Sequence, residues 1–307
     1  MNRLGLKIAV IVIMIAFVVT LAGCSGLEKD SAAKKPAPSD SKNAPVEMEK
    51  IHKDLEKIMA SLGQKKNLAQ KSKQQGEMSH FSTEPKKSGP EKSQADEQSK
   101  SKGGRSESDQ ESEKKRPDQA AANKQMINDW QAEETSLINI HSSWNALEPK
   151  AVKDGLGMTE RNDFEQILDE LTVGISQQNI NSSLMSAIAL YGQYAKLTRI
   201  FKMPIPPDFY ETKYQLLAAA AEAGNANWEQ AEGRIADIKE SWHRFKLQSK
   251  IKDENLLNKS EFAIEDVIRA LENQQMDILV IKSAIALNNL QQIEKELQKV
   301  QSTISPK

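Results

Sequence analysis

The sequence predicts an all-α protein whose folded part contains an internal duplication. Helix-period apolar residues dominate from about 124 to 304, and no run of alternating β-branched residues indicates a strand. The four tryptophans fall into two pairs, and the members of each pair are fourteen residues apart: Trp130 with Trp144, and Trp228 with Trp242. Because the same spacing recurs 98 residues later, an internal duplication explains it better than chance does.

Two further landmarks follow each tryptophan pair. A phenylalanine comes twenty residues after the second tryptophan, at Phe164 and at Phe262. The pentapeptide Ser-Ala-Ile-Ala-Leu occurs at 186–190 and again at 283–287, an offset of 97 residues. The layout predicts that each copy has a tryptophan-bearing helix followed by a helical hairpin, with the two phenylalanines at equivalent positions.

The chain begins with a segment typical of an exported protein. Arg3 and Lys7 form a positively charged end, and residues 8–20 form an apolar run. This run is shorter than the roughly 20 residues that a transmembrane helix needs. It leads into the sequence Leu21, Ala22, Gly23 and Cys24. The small residues before the cysteine would let the backbone enter a signal peptidase, and the cysteine thiol can take up a lipid.

This segment resembles the lipobox signal peptide of bacterial lipoproteins. The resemblance implies cleavage before Cys24, a thioether-linked diacylglycerol on its sulfur, and a lipid-anchored position on the extracytoplasmic face of the cell membrane. The alternative is an uncleaved signal anchor with an incidental cysteine. Cys24 is the only cysteine of the chain, so the sequence excludes an intrachain disulfide and a thiolate metal site.

The stretch after the cysteine, from about 25 to 123, is predicted to be a disordered tether. It is rich in Lys, Ser, Gln and Glu, and it has too few apolar residues to offset the entropy lost on ordering. Residues 46–62 interrupt it with a short amphipathic helix. The apolar residues of that helix recur at intervals of three and four: Met48, Ile51, Leu55, Ile58 and Leu62. A helix this short is marginal alone, so fraying and docking onto the folded domain, a partner or the membrane are all compatible with the sequence.

The folded part is predicted to contain helical repeat 1 at 124–203, followed by a linking helix and helical repeat 2 at 204–307. Three prolines separate the repeats: Pro204, Pro206 and Pro207. We expect about seven helices packed as antiparallel hairpins, in a closed bundle or a short solenoid. The layout resembles uncharacterised duplicated helical domains of membrane-anchored bacterial proteins, and this resemblance implies no activity.

The residues that could carry chemistry are few. From 124 onward the chain has 20 basic and 26 acidic residues, so nucleic acid is not an expected partner. Glu240 and His243 have the Glu-x-x-His spacing of di-iron bundles, but Ser142 and Asn145 stand one repeat earlier, where a second motif would be needed. We therefore expect no metal site, no cofactor and no enzymatic activity.

The tryptophans have two interpretations. Large aromatic residues at helical spacing usually belong to the core, and we expect this of all four. The alternative is an aromatic interaction groove between the copies, formed by Trp130, Trp144, Trp228 and Trp242.

The leading hypothesis is a lipid-anchored extracytoplasmic protein with a structural or protein-interaction role at the cell envelope, where it binds another protein or a cell-wall component. The alternative is a ligand-binding lipoprotein that holds a small molecule or a metal ion in a cleft between the repeats. A dry, filled interface between the repeats would favour the first. A concave pocket with converging polar groups would favour the second.

Overall fold

The computed structural model describes residues 43–80 and 116–304, and this part of the chain is helical. Its helices are α1 (Val46–His80), α2 (Arg116–Asn128), α3 (Gln131–Lys153), α4 (Met158–Ser176), α5 (Ile180–Leu197), α6 (Pro207–Ala223), α7 (Trp228–Gly233), α8 (Ile235–Gln248), α9 (Glu254–Glu272) and α10 (Met276–Ile304). Within the two described ranges the only β-type pairing is an isolated bridge between Asn43 and Lys202. The prediction of an all-α fold is confirmed.

Several predictions concern residues outside these ranges. Cys24 and the preceding residues of the lipobox, 21–23, lie outside the described residues, as do 81–115 of the predicted tether. Helix α1 lies within the stretch predicted to be a tether, and α2 begins within that stretch and extends past residue 123 to Asn128. None of the helices that the structure describes is both long enough and apolar enough to cross a bilayer.

Helix α1 is longer than predicted and belongs to the core. It has 35 residues and continues past Gly63 to His80. The five apolar residues of the predicted seam are at most 1% exposed: Met48, Ile51, Leu55, Ile58 and Leu62. They face α3 and α5, against which α1 packs. Because each fully buried large apolar side chain contributes about 1.5–3 kcal/mol, this seam is a substantial part of the core. Of the alternatives compatible with the sequence, docking onto the folded domain is the one observed.

The duplicated unit includes a helix before each tryptophan helix. Helices α1 and α6 begin with the same turn, in which the Met48 N–H donates to the Pro45 carbonyl and the Phe209 N–H donates to the Pro206 carbonyl, each at 3.0 Å. Leu55 of α1 and the equivalent Leu216 of α6 are both fully buried. We therefore define copy 1 as α1, α3, α4 and α5, and copy 2 as α6, α7 with α8, α9 and α10.

The second half of each copy has a different register from the one predicted. Helices α4 and α9 have 19 residues each and begin 96 positions apart. The turns that follow place Gln178 and Gln274, also 96 apart, at φ 53° and 52°. In this register Phe164 corresponds to Ser260. Phe164 is fully buried whereas Phe262 is 64% exposed, so the predicted equivalence of the two phenylalanines is wrong.

The repeated pentapeptide is likewise shifted by one residue between the copies. Ala187 in the first occurrence is buried, but Ala284 in the second is exposed. On a helix a shift of one residue rotates a side chain by about 100° around the axis, so the same amino acids have different neighbours in the two copies. The tryptophan helices keep the predicted offset of 98, because Trp144 and Trp242 are both at most 5% exposed.

The two copies meet along four helices. Helix α5 of copy 1 packs on α6 of copy 2, and α6 also packs on α10. Helix α10, the last of copy 2, reaches back to α1, where Glu294 approaches His52. The helices α1, α5, α6 and α10 therefore surround one common region, and that region contains the candidate site.

Candidate functional site

The tryptophans predicted as core or groove residues are part of the packing within each copy. Trp130, Trp144 and Trp242 are at most 5% exposed, and Trp228 is partly buried against the same core. The Trp144 ring stacks on Phe164 with ring centroids 3.9 Å apart. Trp144 also lines a small surface concavity of about 280 Å³ between α3 and α4, within copy 1. The lining of the cavity between the copies, described below, includes none of the four tryptophans.

Glu240 and His243, the pair with the Glu-x-x-His spacing, lie on the surface of α8. His243 is exposed on α8, and the side chain of Glu240 is 66% exposed and contacts Arg244. Among the described residues, neither joins a group of metal-ligating side chains.

Polar side chains, all of them buried except the partly exposed Glu56, converge where α1, α5, α6 and α10 meet. We call these residues the polar cluster: His52 and Glu56 of α1, Tyr191 and Tyr194 of α5, Tyr210 and Lys213 of α6, and Glu294 of α10. On each of the first three helices the two members are three or four residues apart, which places them on one helical face. Both copies contribute to the cluster, so it forms only when they pack together.

The charged members of the polar cluster form an ion network. The Lys213 Nζ contacts Glu56 Oε1 and lies 3.5 Å from Glu294 Oε2. It also lies 5.7 Å from the centroid of the Tyr191 ring. The side chains of Lys213 and Glu294 are only 10% and 8% exposed, whereas that of Glu56 is 34% exposed. Two carboxylates thus share one ammonium group that is largely removed from water, an arrangement that costs desolvation energy.

His52 is enclosed by these groups and by tyrosine rings. Its Nε2 lies 3.4 Å from Glu56 Oε1 and 3.4 Å from the Tyr191 hydroxyl, while its Nδ1 lies 3.6 Å from Glu294 Oε1. The imidazole stacks on Tyr194 at 5.2 Å with an interplanar angle of 20°. Tyr210 meets it edge-on at 5.4 Å. The imidazole therefore has aromatic neighbours on its faces and oxygen atoms near both nitrogens.

The environment perturbs the ionisation of the cluster. Burial lowers the pKa of His52 to about 4, against the opposing effect of the Glu56 carboxylate. Burial raises the pKa of Glu294, and the nearby Lys213 only partly offsets this. Burial acts in the same direction on Glu56, but Lys213 and His52 together hold the pKa of that carboxyl below its ordinary value. The imidazole is consequently neutral near pH 7, the form that can accept a proton or ligate a metal.

A cavity of about 760 Å³ opens onto the polar cluster between the two copies. Its lining comes from both copies and from the segments before α1 and α6: Asn43, Ala44, Pro45, Val46, Met48, Glu49, His52, Tyr194, Lys202, Met203, Pro204, Ile205, Tyr210 and Gln298. The buried members of the polar cluster, His52, Tyr194 and Tyr210, form its inner end, while the exposed charges of Glu49 and Lys202 lie toward solvent.

A second concave surface, of about 790 Å³, lies between α4 and α5. Its lining includes Asp169 and Glu170, which are exposed carboxylates typical of a solvated helix face. Because no buried ionisable group lines it, it has less of the character of a ligand site than the cavity between the copies.

The polar cluster has to be interpreted from its own chemistry. The chain matches no family model, no curated protein and no solved structure. Sequence reasoning missed the cluster because it considered only the apolar residues of the short helix at 46–62, which also contains His52 and Glu56. The available signal was their i, i+4 spacing beside the apolar seam of α1, which places an imidazole and a carboxylate next to residues that must be buried.

Proposed function

We propose that this protein is a lipid-anchored, extracytoplasmic binding protein that holds a small molecule in the cavity between its two copies. The observation that carries the proposal is the convergence of His52, Tyr194 and Tyr210 at the inner end of that cavity. Ligand sites are typically cavities of about 300–1,000 Å³ with apolar walls and a few converging polar groups. Perturbed ionisable groups in a cleft are also typical of functional sites.

The lining favours a small molecule with a flat or apolar part and at least one polar group. Tyr194, Tyr210 and His52 offer ring surfaces, and Met48 and Met203 add adaptable apolar contacts. Ion pairs this well buried rarely gain stability over apolar packing. A binding role explains why the chain keeps the network, and it requires no reaction.

The cavity can be tested by filling it. Ala44 lines the cavity and is partly buried, so Ala44→Trp should occupy the space without removing a core side chain. We expect native mass spectrometry of the wild-type protein, incubated with the small-molecule fraction of the producing cells, to show a bound compound. We expect the Ala44→Trp variant to lose it.

The matched control is Ala60→Trp, which places the same side chain on an exposed position of α1. This variant should retain the compound at the wild-type level. Absence of any bound compound from the wild type, or equal retention by the Ala44→Trp variant, would contradict the ligand proposal. The protein-interaction role would then be the better one. Its specific support is an exposed apolar face of α10 formed by Ile278, Ile281 and Ile285, each at least 43% exposed.

The anchor is tested separately. If Cys24 carries the lipid, the variant Cys24→Ala should leave the membrane fraction or keep its signal peptide, because the thiol is the group that is lipidated and cleavage follows lipidation. Cell fractionation and the mass of the mature chain measure both. Unchanged membrane association together with unchanged processing would refute the anchor while leaving the cavity proposal untouched.

A further inference from the structure

Part of the polar cluster has the ligand set of a metal site. His52, Glu56 and Glu294 each offer one ligand atom, and these atoms all lie within 4.8 Å of one another. We propose that these three side chains bind a divalent transition-metal ion, such as Zn²⁺, at the inner end of the cavity. This inference goes beyond the proposed small-molecule function and does not rest on it, because α1 and α10 position the three side chains whether or not an organic ligand is present.

The donor types fit such an ion. One imidazole nitrogen with two carboxylates is a mixed N/O set, which suits Zn²⁺ and its first-row neighbours better than Ca²⁺ or Mg²⁺. His52 and Glu56 are four residues apart on α1, the spacing at which two ligands on one helical face can share a metal ion. Glu294 supplies the third ligand from α10.

The distance between Glu56 and His52 fits two ligands of one ion better than a direct hydrogen bond. Glu56 Oε1 lies 3.4 Å from His52 Nε2, outside the usual range of about 2.7–3.2 Å for a good hydrogen bond. Glu294 Oε1 lies 3.6 Å from the other nitrogen, Nδ1, so an ion held by Nε2 requires the Glu294 carboxylate to turn toward that side. Two donor atoms bound tetrahedrally to one zinc ion at about 2.0–2.1 Å lie roughly 3.3 Å apart. The separation of Glu56 Oε1 from His52 Nε2 is close to this value.

Lys213 is compatible with a bound metal ion. It contacts Glu294 through Oε2, whereas Oε1 of the same carboxylate faces His52. On Glu56 its contact is with Oε1, so a small rotation of that carboxylate would present one oxygen to the metal and the other to the ammonium. Two carboxylates have four oxygen atoms, and one ammonium does not neutralise both charges. Lys213 can therefore remain as a hydrogen-bonding partner of both ligands, a role that such outer partners often have.

The cavity gives an ion access to the site. His52 belongs both to the ligand group and to the cavity lining, so an ion can enter along the cavity and keep a coordination position facing it. The ligands come from copy 1 and copy 2 together. Because both copies contribute ligands, one chain has a single such site and the ligand motif does not have to be repeated. A di-iron site at Glu240 and His243 would need a second Glu-x-x-His motif.

The test uses the mature full chain, tag-free and carrying Cys24→Ser so that no thiol can bind metal. After chelator treatment, titration with Zn²⁺ by calorimetry should give one site per chain, and Co²⁺ should give visible bands of a low-coordinate ion. The variants His52→Gln and Glu294→Gln should bind Zn²⁺ about 10-fold or more weakly. The controls His243→Gln and Glu296→Gln, at exposed and partly exposed positions, should bind like the parent.

Two outcomes would overturn the proposal. One is an absence of Zn²⁺ and Co²⁺ binding by the parent chain, and the other is binding that the His52 and Glu294 variants leave unchanged. If a variant fails to fold, X-ray absorption at the zinc edge of the loaded parent decides instead. One imidazole and two carboxylates, with water in the remaining position, support the site, and any other set of protein ligands contradicts it. Lys213→Met adds an independent readout. Zn²⁺ should raise its melting temperature more than that of the parent, because the ion replaces the lost cation.

Discussion

Replacing Lys65 with methionine is expected to lower the free energy of unfolding by about 3–5 kcal/mol, because the change leaves a buried carboxylate without its cation. The Lys65 Nζ lies 2.6 Å from Glu133 Oε1, and these two side chains are only 2% and 1% exposed. The same ammonium donates to the Asp129 carbonyl at 2.5 Å and lies 4.0 Å from the centroid of the Trp130 ring. In the variant the hydroxyl of Ser61 would be the remaining partner of Glu133 Oε1.

Denaturant unfolding followed by circular dichroism measures this effect. The matched control is Lys53→Met on the same helix, since Lys53 is exposed. That change should shift the free energy of unfolding by less than about 1 kcal/mol. The double variant Lys65→Met with Glu133→Gln should recover much of the loss, because it removes the unpaired charge and keeps an acceptor for Ser61. A Lys65→Met variant as stable as the Lys53→Met control would contradict the docking of α1 on α3.

The placement of α1 separates what the sequence could predict from what it could not. Its helical period and its apolar seam were predictable, because the intervals of three and four between Met48 and Leu62 require one apolar face. What the seam packs against was not predictable, since α3 follows only after a long polar stretch. Lys65 and Glu133 are residue types that usually lie on solvent-exposed helix faces. Only the tertiary structure shows that they form a buried ion pair.

The same reasoning applies to the polar cluster. Tyr191, Tyr194 and Tyr210 were ordinary members of apolar helical patterns, and nothing in their spacing indicates a shared neighbour. The cluster depends on how α10 of copy 2 returns to α1 of copy 1, and a duplication alone does not specify that packing. The repeated residues also led to a wrong prediction of the register between the copies. Phe262 and the second pentapeptide lie on different helical faces from their counterparts in copy 1.

The duplicated tryptophans were predictable as core residues, and Trp144 is where the largest packing loss is expected. Trp144 is 5% exposed and stacks on Phe164, which is itself fully buried. Among the described residues its indole Nε1 has no hydrogen-bond acceptor, so its contribution comes from packing. Trp144→Ala should therefore lower the free energy of unfolding by about 3–5 kcal/mol, the usual effect of removing a large buried aromatic side chain.

Thermal and denaturant unfolding of two matched pairs of variants tests both the core role and the register. Trp242→Ala should destabilise copy 2 by a similar amount, because Trp242 is 4% exposed and packs on Phe245. The phenylalanines should differ. Phe164→Ala should be strongly destabilising, whereas Phe262→Ala should change stability by no more than about 0.5 kcal/mol, because its side chain faces solvent. Equal losses at Phe164 and Phe262 would restore the offset of 98 through the aromatic positions and contradict the 96-residue register. A thermally silent Trp144→Ala would remove this tryptophan from the core.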